Sequence, residues 1–155
     1  MQKKHLNLDY EVVGFDELAN EYQDLILAAR TAADGSYAPY SHFNVGAAVL
    51  LDNGIKVTGS NQENVAYPSG LCAERVALFT ANANFPDSAP LVLAIAAYNN
   101  GKLTDFPVTP CGACRQVMVE IEKRYNKSFV VLMSYDKGVI KVDRAADLMP
   151  LAFDL

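Results

Sequence analysis

The chain places its three cysteines in two short segments whose residue types can carry chemistry. Cys72 opens Cys72-Ala73-Glu74-Arg75, and the other two stand in Pro110-Cys111-Gly112-Ala113-Cys114. Cys111 and Cys114 are three residues apart, a spacing that puts both sulfurs on one face of a helix start. A helix N-terminus favours thiolate over thiol, and thiolate is the form that binds metal. The two segments together therefore indicate a metal site.

Three thiolates suit Zn²⁺, and the number of ligands separates the two kinds of zinc site. Structural sites close all four positions with protein, whereas catalytic sites leave the fourth position to water. Neither His5 nor His42 has ligand spacing relative to the cysteines. The sequence therefore predicts an open position, where a water would have its pKa lowered to about 7. Arg75 and Arg115 could neutralise the excess negative charge of three sulfurs.

Glu74, two residues after Cys72, is the candidate proton carrier for such a site. In the first turn of a helix its carboxylate can lie beside the water and pass a proton to a substrate nitrogen. The alternative is that Glu74 only interacts with the helix dipole, worth roughly 0.3–1 kcal/mol. Its place among three cysteines favours the catalytic role.

Two other interpretations of the cysteines remain open at this point. Cys111 and Cys114 could form a redox pair, and the zinc could be purely structural. A redox pair would leave Cys72 without a role, and Pro110 before the pair is not the dipeptide context of a thioredoxin-like site. A catalytic zinc is the interpretation that uses all three cysteines and Glu74.

The elements that must position these residues predict a layered α/β fold. Helices are predicted over Phe15–Ala33 (capped by Asp16), Cys72–Asn84 and Cys111–Tyr125. Strands are predicted over Phe43–Leu51, Ile55–Gly59, Leu91–Tyr98, Ser128–Ser134 and Val139–Val142, after a short extended arm over Tyr10–Gly14. The strands from Leu91 and Ser128 are joined through a helix and should be parallel, whereas a tight turn makes the last two antiparallel. We expect one three-layer α/β/α domain over residues 1–155, with a mixed sheet of about five strands.

Composition and charge restrict the partners of the protein. The net charge is −5, and the basic cluster Lys123-Arg124 with Lys127 stands among Glu120 and Glu122, which predicts a solvated helix face. A phosphate backbone would be repelled, so we expect no nucleic-acid partner. No apolar run approaches the ~18–20 residues of a membrane span, so no membrane partner is expected. An odd number of cysteines without an export signal predicts the cytoplasm.

The two cysteine segments resemble those of the free-nucleoside cytidine deaminases, the small homotetrameric zinc type. The resemblance is carried by Cys72–Arg75 together with Pro110–Gln116 and extends over most of the chain. Ala38–Ala48 is similar to the family's first strand and its approach, Gly59–Asn64 to its nucleoside-binding loop, and Leu148–Phe153 to its closing segment. These pieces occur in the family's order and spacing.

The resemblance implies hydrolytic deamination of cytidine and 2′-deoxycytidine to uridine and 2′-deoxyuridine with release of ammonia, in pyrimidine salvage. It implies Zn²⁺ on Cys72, Cys111 and Cys114, with zinc-bound hydroxide attacking C4 of the base while Glu74 shuttles protons. Many deaminases that act on nucleotides or on bases within nucleic acid carry His-x-Glu. Cys72 takes the place of that histidine, which favours free nucleosides as substrates.

The resemblance also implies a set of substrate contacts. Asn61 and Glu63 would bind sugar hydroxyls, Phe43 would pack near the sugar, and the backbone of Ala73 would read the pyrimidine edge. Phe153 would stack on the base from a neighbouring subunit, which implies composite sites in a homotetramer. From pattern alone, Phe43 is equally a strand-core residue, loop side chains are solvated by default, and Phe153 could dock a frayed terminus.

Overall fold

One mixed sheet forms the centre of the structure, a computed structural model that describes residues 1–155. Its strands are β1 (Glu11–Val13), β2 (Phe43–Leu51), β3 (Lys56–Ser60), β4 (Pro90–Asn99), β5 (Lys102–Leu103), β6 (Val130–Tyr135) and β7 (Gly138–Val142). The helices are α1 (Asn20–Ala32), α2 (Ala73–Asn84) and α3 (Gly112–Tyr125). The strand order is β1-β7-β6-β4-β2-β3, and β5 pairs with β4.

The pairings predicted for the second half of the chain are confirmed. β4 and β6, joined through α3, are parallel, and β6 and β7 are antiparallel across a tight turn. β2 pairs antiparallel with both β3 and β4. The sheet is therefore mixed, with the parallel pair at its centre.

Strand β4 is apolar along most of its length because helices cover both of its faces. Leu93 and Ile95 belong to the larger core, beneath α2 and α3. Ala94 and Ala96 point the other way, into the core beneath α1. This alternation of side chains places two cores on the two faces of one sheet. The predicted three-layer α/β/α architecture is confirmed.

The sheet has seven strands rather than about five. The predicted N-terminal arm contributes β1, which pairs with β7 at the edge of the sheet. The other addition is β5, whose two residues pair with the end of β4. Both are too short to show the period-two alternation on which a strand prediction depends.

Helix α1 begins at Asn20 and not at the predicted Phe15. Phe15 opens a separate 3₁₀ turn that contains Asp16, so Asp16 does not cap the helix. The carboxylate of Glu17 accepts a hydrogen bond from the backbone N–H of Gly14, which closes this turn on itself. None of the helices is long and apolar enough to cross a membrane.

Two strand glycines let the helices pack directly on the sheet. A Cβ at Gly59 would lie 2.5 Å from the backbone nitrogen of Ala77 and 2.8 Å from the carbonyl oxygen of Ala73, both in α2. A Cβ at Gly46 would lie 1.9 Å from the carbonyl oxygen of Ala29 in α1. The contact at Gly59 fixes the first turn of α2, and with it the preceding Cys72, against β3.

Candidate active site

The structure brings the three cysteines together at the starts of two helices. Cys72 is the N-cap residue of α2 and Cys111 is the N-cap residue of α3, while Cys114 lies in the first turn of α3. The Sγ atoms of Cys72 and Cys111 are 3.7 Å apart, and those of Cys111 and Cys114 are 3.5 Å apart. All three sulfurs lie within 4.8 Å of one another, which is the arrangement a single metal ion requires.

The electrostatics of the cluster favour thiolate at one of its members. Hydrogen bonding from the Cys114 thiol and from Arg75, whose Nη2 is 3.7 Å from the sulfur, lowers the pKa of Cys72 to about 5 despite burial. The same interaction with Cys72, together with burial, raises the pKa of Cys114. A divalent cation would stabilise the remaining thiolates, since metal binding displaces the thiol protons. Three soft sulfur donors therefore fit Zn²⁺.

Arg115 has a different partner from the one expected. Its Nε donates to the carbonyl of Pro110 at 2.7 Å, and its Nη1 donates to the carbonyl of Leu148 at 2.9 Å. Arg115 therefore ties the residue before Cys111 to the 3₁₀ turn Ala145–Leu148. Arg75 is the arginine that contacts a sulfur of the cluster.

Glu74 lies in the first turn of α2 and is 5% exposed. Burial raises the pKa of its carboxyl to about 7, and the negative charge of Cys72 acts in the same direction. A carboxyl that titrates near neutral pH can both accept and return a proton during a reaction. This property matches the proton-carrying role predicted for Glu74.

A cavity of about 750 Å³ opens over the cysteine cluster. Most of the predicted site residues line it, namely Phe43, Asn61, Glu63, Cys72, Ala73, Glu74 and Cys111. Cys114 lies beneath this wall and is fully buried. The volume falls within the range of roughly 300–1,000 Å³ that is usual for small-molecule sites.

The loop between β3 and α2 is held in place by backbone pairing. Gln62 and Leu71 exchange two hydrogen bonds of 2.9 and 3.0 Å, and the N–H of Tyr37 donates to the carbonyl of Asn61 at 3.0 Å. These bonds fold the loop back on itself just before Cys72. Asn61 and Glu63 are thereby brought to the same cavity as the cysteines.

The side chain of Asn61 bridges two backbone groups at the start of β2. Its Nδ2 donates to the carbonyl of Phe43 at 2.9 Å, and its Oδ1 accepts from the N–H of Val45 at 2.8 Å. An asparagine amide has two donor hydrogens and two acceptor lone pairs, so one of each remains for a ligand. Asn61 therefore holds Phe43 in the cavity wall as well as offering polar groups of its own.

Glu63 holds the loop that precedes β2, at Tyr40 and Ser41. Its Oε2 accepts from the N–H of Tyr40 at 2.9 Å and from that of Ser41 at 3.3 Å, and the Ser41 hydroxyl donates to Oε1. The hydrogen bond from Ser41 is the main cause that lowers the pKa of Glu63. Sequence reasoning did not select Tyr40 or Ser41 as site residues, although both line the cavity. Their signal in the sequence was their place in Ala38–Ala48, the segment that resembles the approach to the family's first strand.

Phe153 lies outside this cavity and is 71% exposed. Its carbonyl accepts a hydrogen bond of 2.9 Å from Nε2 of Gln116, and Lys123 pairs with Asp154. The tail therefore runs along α3 of its own chain with the aromatic ring facing outward. A stacking role for Phe153 in a neighbouring subunit stays a prediction.

Comparison with known proteins places the chain among deaminases. A family model described as the cytidine and deoxycytidylate deaminase zinc-binding region matches residues 19–132. The chain belongs to this family. The cytidine deaminase of Halalkalibacterium halodurans is 42% identical over 131 residues, which are 84% of this chain and 92% of that protein. The cytidine deaminase of Mycobacterium tuberculosis is 38% identical over 128 residues, 82% of this chain and 85% of that protein.

Solved structures of cytidine deaminases share the fold. The crystal structure of the enzyme from Burkholderia pseudomallei has a TM-score of 0.72 and 38% identity, covering 88% of this chain and 100% of that chain. The enzyme from Mycobacterium tuberculosis has a TM-score of 0.67 and 36% identity, with 88% and 100% covered. The predictions of the family, the fold and an enzyme of the deaminase type are confirmed. The cysteine cluster and Glu74 lie inside the region that the family model matches, and Phe153 lies beyond it.

Proposed function

We propose that this protein is a zinc-dependent hydrolase that deaminates cytidine and 2′-deoxycytidine to uridine and 2′-deoxyuridine, with release of ammonia, in pyrimidine salvage. The observation that carries the proposal is that Cys72 and Cys111 of the three-sulfur cluster, together with the buried Glu74, line one cavity of about 750 Å³. Family membership supports the reaction type.

Cys72, Cys111 and Cys114 would hold Zn²⁺ through their sulfurs. When bound to three protein ligands, Zn²⁺ makes a water nucleophilic at neutral pH. The helix N-termini at Cys72 and Cys111 stabilise the thiolate form that binding requires. Arg75 compensates part of the excess negative charge by its contact with Cys72.

Glu74 carries the protons of the reaction. Its carboxylate accepts a proton from the attacking water and delivers a proton to N3 of the cytosine ring, which makes C4 more electrophilic. It then takes the remaining proton from the new hydroxyl at C4 and passes it to the amino group, so that the C4 carbonyl forms, the C4–N bond breaks and ammonia leaves. Water supplies the oxygen and both hydrogens, so that cytidine and water balance uridine and ammonia.

The remaining wall of the cavity binds and orients the nucleoside. Asn61 and Glu63 hydrogen-bond the sugar hydroxyls, Phe43 packs against the sugar, and the backbone of Ala73 contacts the pyrimidine edge. A cavity of this size suits a free nucleoside, and the net charge of −5 disfavours a nucleic-acid strand.

We infer that residues 1–155 form one domain that works as a homotetramer with composite active sites. Phe153 would reach the base bound by a neighbouring subunit, which agrees with its exposed ring and its position outside the cavity of its own chain. A reducing compartment, the cytoplasm, would keep the three thiols available as ligands.

Glu74→Gln tests the assigned mechanism. The purified protein should lower the absorbance of cytidine and release ammonia, whereas Glu74→Gln should abolish turnover and retain zinc. Glu120→Gln, an exposed carboxylate on α3, is the matched control and should behave as the unchanged protein. Near-normal turnover by Glu74→Gln would exclude the mechanism.

Two further measurements separate the competing functions. If the protein turns over a cytosine-nucleoside analogue in clear preference to cytidine, its substrate differs from the one proposed, while the reaction type stays the same. Zinc held by four protein ligands, together with no deamination of any pyrimidine nucleoside, would instead indicate a zinc-stabilised binding module.

A further inference from the structure

A second cavity, of about 450 Å³, lies on the face of the sheet that α1 covers. Asn44 of β2 and Tyr98 of β4 line it, and these two residues are paired across the strands. Phe43, the neighbour of Asn44, lines the active-site cavity. Since successive residues of a strand point to opposite faces, the two cavities lie back to back across the start of β2.

The guanidinium of Arg30 is held in the wall of this cavity by two contacts. Its Nη2 donates to the hydroxyl of Ser134 at 2.8 Å, and Ser134 is buried. Its carbon Cζ lies 5.0 Å from the centre of the Phe15 ring. These contacts fix the orientation of the group before any ligand arrives. The Nε of Arg30 is buried and has no hydrogen-bond partner.

Arg30 also has no carboxylate to balance its charge. The ion pairs of the protein involve other cations, Lys123, Lys127, Lys141 and Arg144. Asp34, one turn further along the chain, lines the same cavity without approaching Arg30 within ion-pair distance. A guanidinium has five N–H donors, and the Ser134 hydroxyl accepts from only one of the nitrogens. A partly buried charge with unmet donors is costly unless an anion completes it.

We propose that this cavity is a second ligand site, in which Arg30 binds the carboxylate or phosphate group of a small molecule. The planar fork of a guanidinium matches either group. Asp34 on the same wall repels additional negative charge, so the site takes a single oxyanion group and disfavours a polyphosphate. Asn44 and Tyr98 supply polar side chains for the rest of the ligand.

Titration of the zinc-loaded, ¹⁵N-labelled protein with sodium acetate, and separately with inorganic phosphate, tests the site. We expect saturable shifts of the backbone amide signals of Asn44, Tyr98 and Gly101 with at least one of the two ions, and the ion that saturates identifies the group. Arg30→Gln should raise the apparent Kd by about tenfold or more. Arg124→Gln removes one exposed arginine on α3 and should leave the titration unchanged.

Asp34→Asn keeps the test independent of any folding defect in Arg30→Gln. Asp34 is exposed, and loss of its charge should lower the apparent Kd for the ion that saturates by about threefold or more. Several results would overturn the proposal: no saturable shift of the three amides with either ion, an unchanged titration in Arg30→Gln, or no gain in Asp34→Asn. Tighter binding of tripolyphosphate than of phosphate would contradict the single-group ligand.

Discussion

The polar side chains of the candidate active site are bonded to the chain's own backbone before any substrate binds. Asn61 bridges the backbone at Phe43 and Val45, and Glu63 accepts hydrogen bonds from Tyr40 and Ser41. Groups fixed in this way lose little side-chain freedom when a nucleoside binds. At the scale of single residues, stability and substrate affinity are therefore coupled in this site.

Asn61→Ala should show this coupling. The change leaves the carbonyl of Phe43 and the N–H of Val45 without their partner, so we expect the free energy of unfolding to fall by about 1–3 kcal/mol. Because Phe43 forms the wall of the cavity, KM for cytidine should rise as well. Urea denaturation and steady-state kinetics measure the two effects.

Asn84→Ala provides the comparison for Asn61→Ala. Asn84 is an exposed asparagine at the far end of α2, and its side chain bonds only the carbonyl of Thr80. Its replacement should change the free energy of unfolding by no more than about 0.5 kcal/mol. An effect of Asn61→Ala within that range would show that the amide does not hold the strand.

Cys114→Ala and Glu74→Gln should differ in what they do to stability. Structural zinc binding can contribute ~10–16 kcal/mol of apparent free energy, against a domain stability of ~5–15 kcal/mol. Loss of the Cys114 ligand should therefore lower the melting temperature sharply and remove zinc. Glu74→Gln should melt close to the unchanged protein.

Removal of zinc by a chelator is a second check of the same assignment. The melting temperature of the unchanged protein and of Glu74→Gln should fall by similar amounts, while Cys114→Ala should respond little. Equal losses of stability in Glu74→Gln and Cys114→Ala would contradict the two roles.

The cysteine cluster could be predicted from the sequence because its ligands are few in type and lie at two helix starts. The partners of Arg115 and of Glu122 could not. The charge pattern predicts a solvated face for Glu122, yet it is 8% exposed and accepts hydrogen bonds from the N–H groups of Phe129, Ala145 and Ala146. These partners lie outside α3, and residue spacing within one helix carries no information about them.

At the scale of elements, replacing glycine by alanine should have opposite effects on stability at Gly59 and at Gly112. A Cβ at Gly59 would lie 2.5 Å from the backbone of α2, so Gly59→Ala must push the helix and Cys72 away from β3. Overpacking of this kind typically costs about 1–3 kcal/mol. We expect lower stability, weaker zinc retention and lower activity together, measured by denaturation, metal content and turnover.

Gly112→Ala is the control at the first position of α3. A Cβ there would meet nothing within 4 Å. Replacing an exposed helical glycine by alanine should raise the free energy of unfolding by up to about 1 kcal/mol. No loss of stability in Gly59→Ala would contradict the close approach of α2 to β3, and lower stability in Gly112→Ala would contradict the open space around Gly112.

The elements that could be predicted are those with long apolar patterns. β4 has a near-continuous apolar run because it is buried on both faces, and α3 has clear helical spacing. The beginning of α1 could not be predicted, since the helical spacing of apolar residues does not show that the bond between Glu17 and Gly14 closes a separate turn before the helix. The close contact between Gly59 and α2 could not be predicted from the sequence either, because it depends on where α2 lies in three dimensions.

At the scale of the whole molecule, several large apolar side chains are exposed in the single chain. Val65 and Tyr67 in the loop before α2, and Leu151 and Phe153 in the tail, are each more than two thirds exposed. Tyr67 also lines the active-site cavity. Large apolar side chains left exposed in the single chain favour an interface between subunits, which agrees with the composite sites we propose.

Co-expression of two inactive variants tests whether Phe153 acts across an interface. A subunit with Glu74→Gln retains Phe153, and a subunit with Phe153→Ala retains Glu74. If Phe153 serves a neighbouring site, mixed oligomers contain sites with both residues, so their activity should exceed that of either variant alone. If Phe153 acts within its own chain, no mixed site is complete and the activity of the mixture should equal the average of the two variants. Differently tagged subunits, purified through both tags, ensure that only mixed oligomers are assayed.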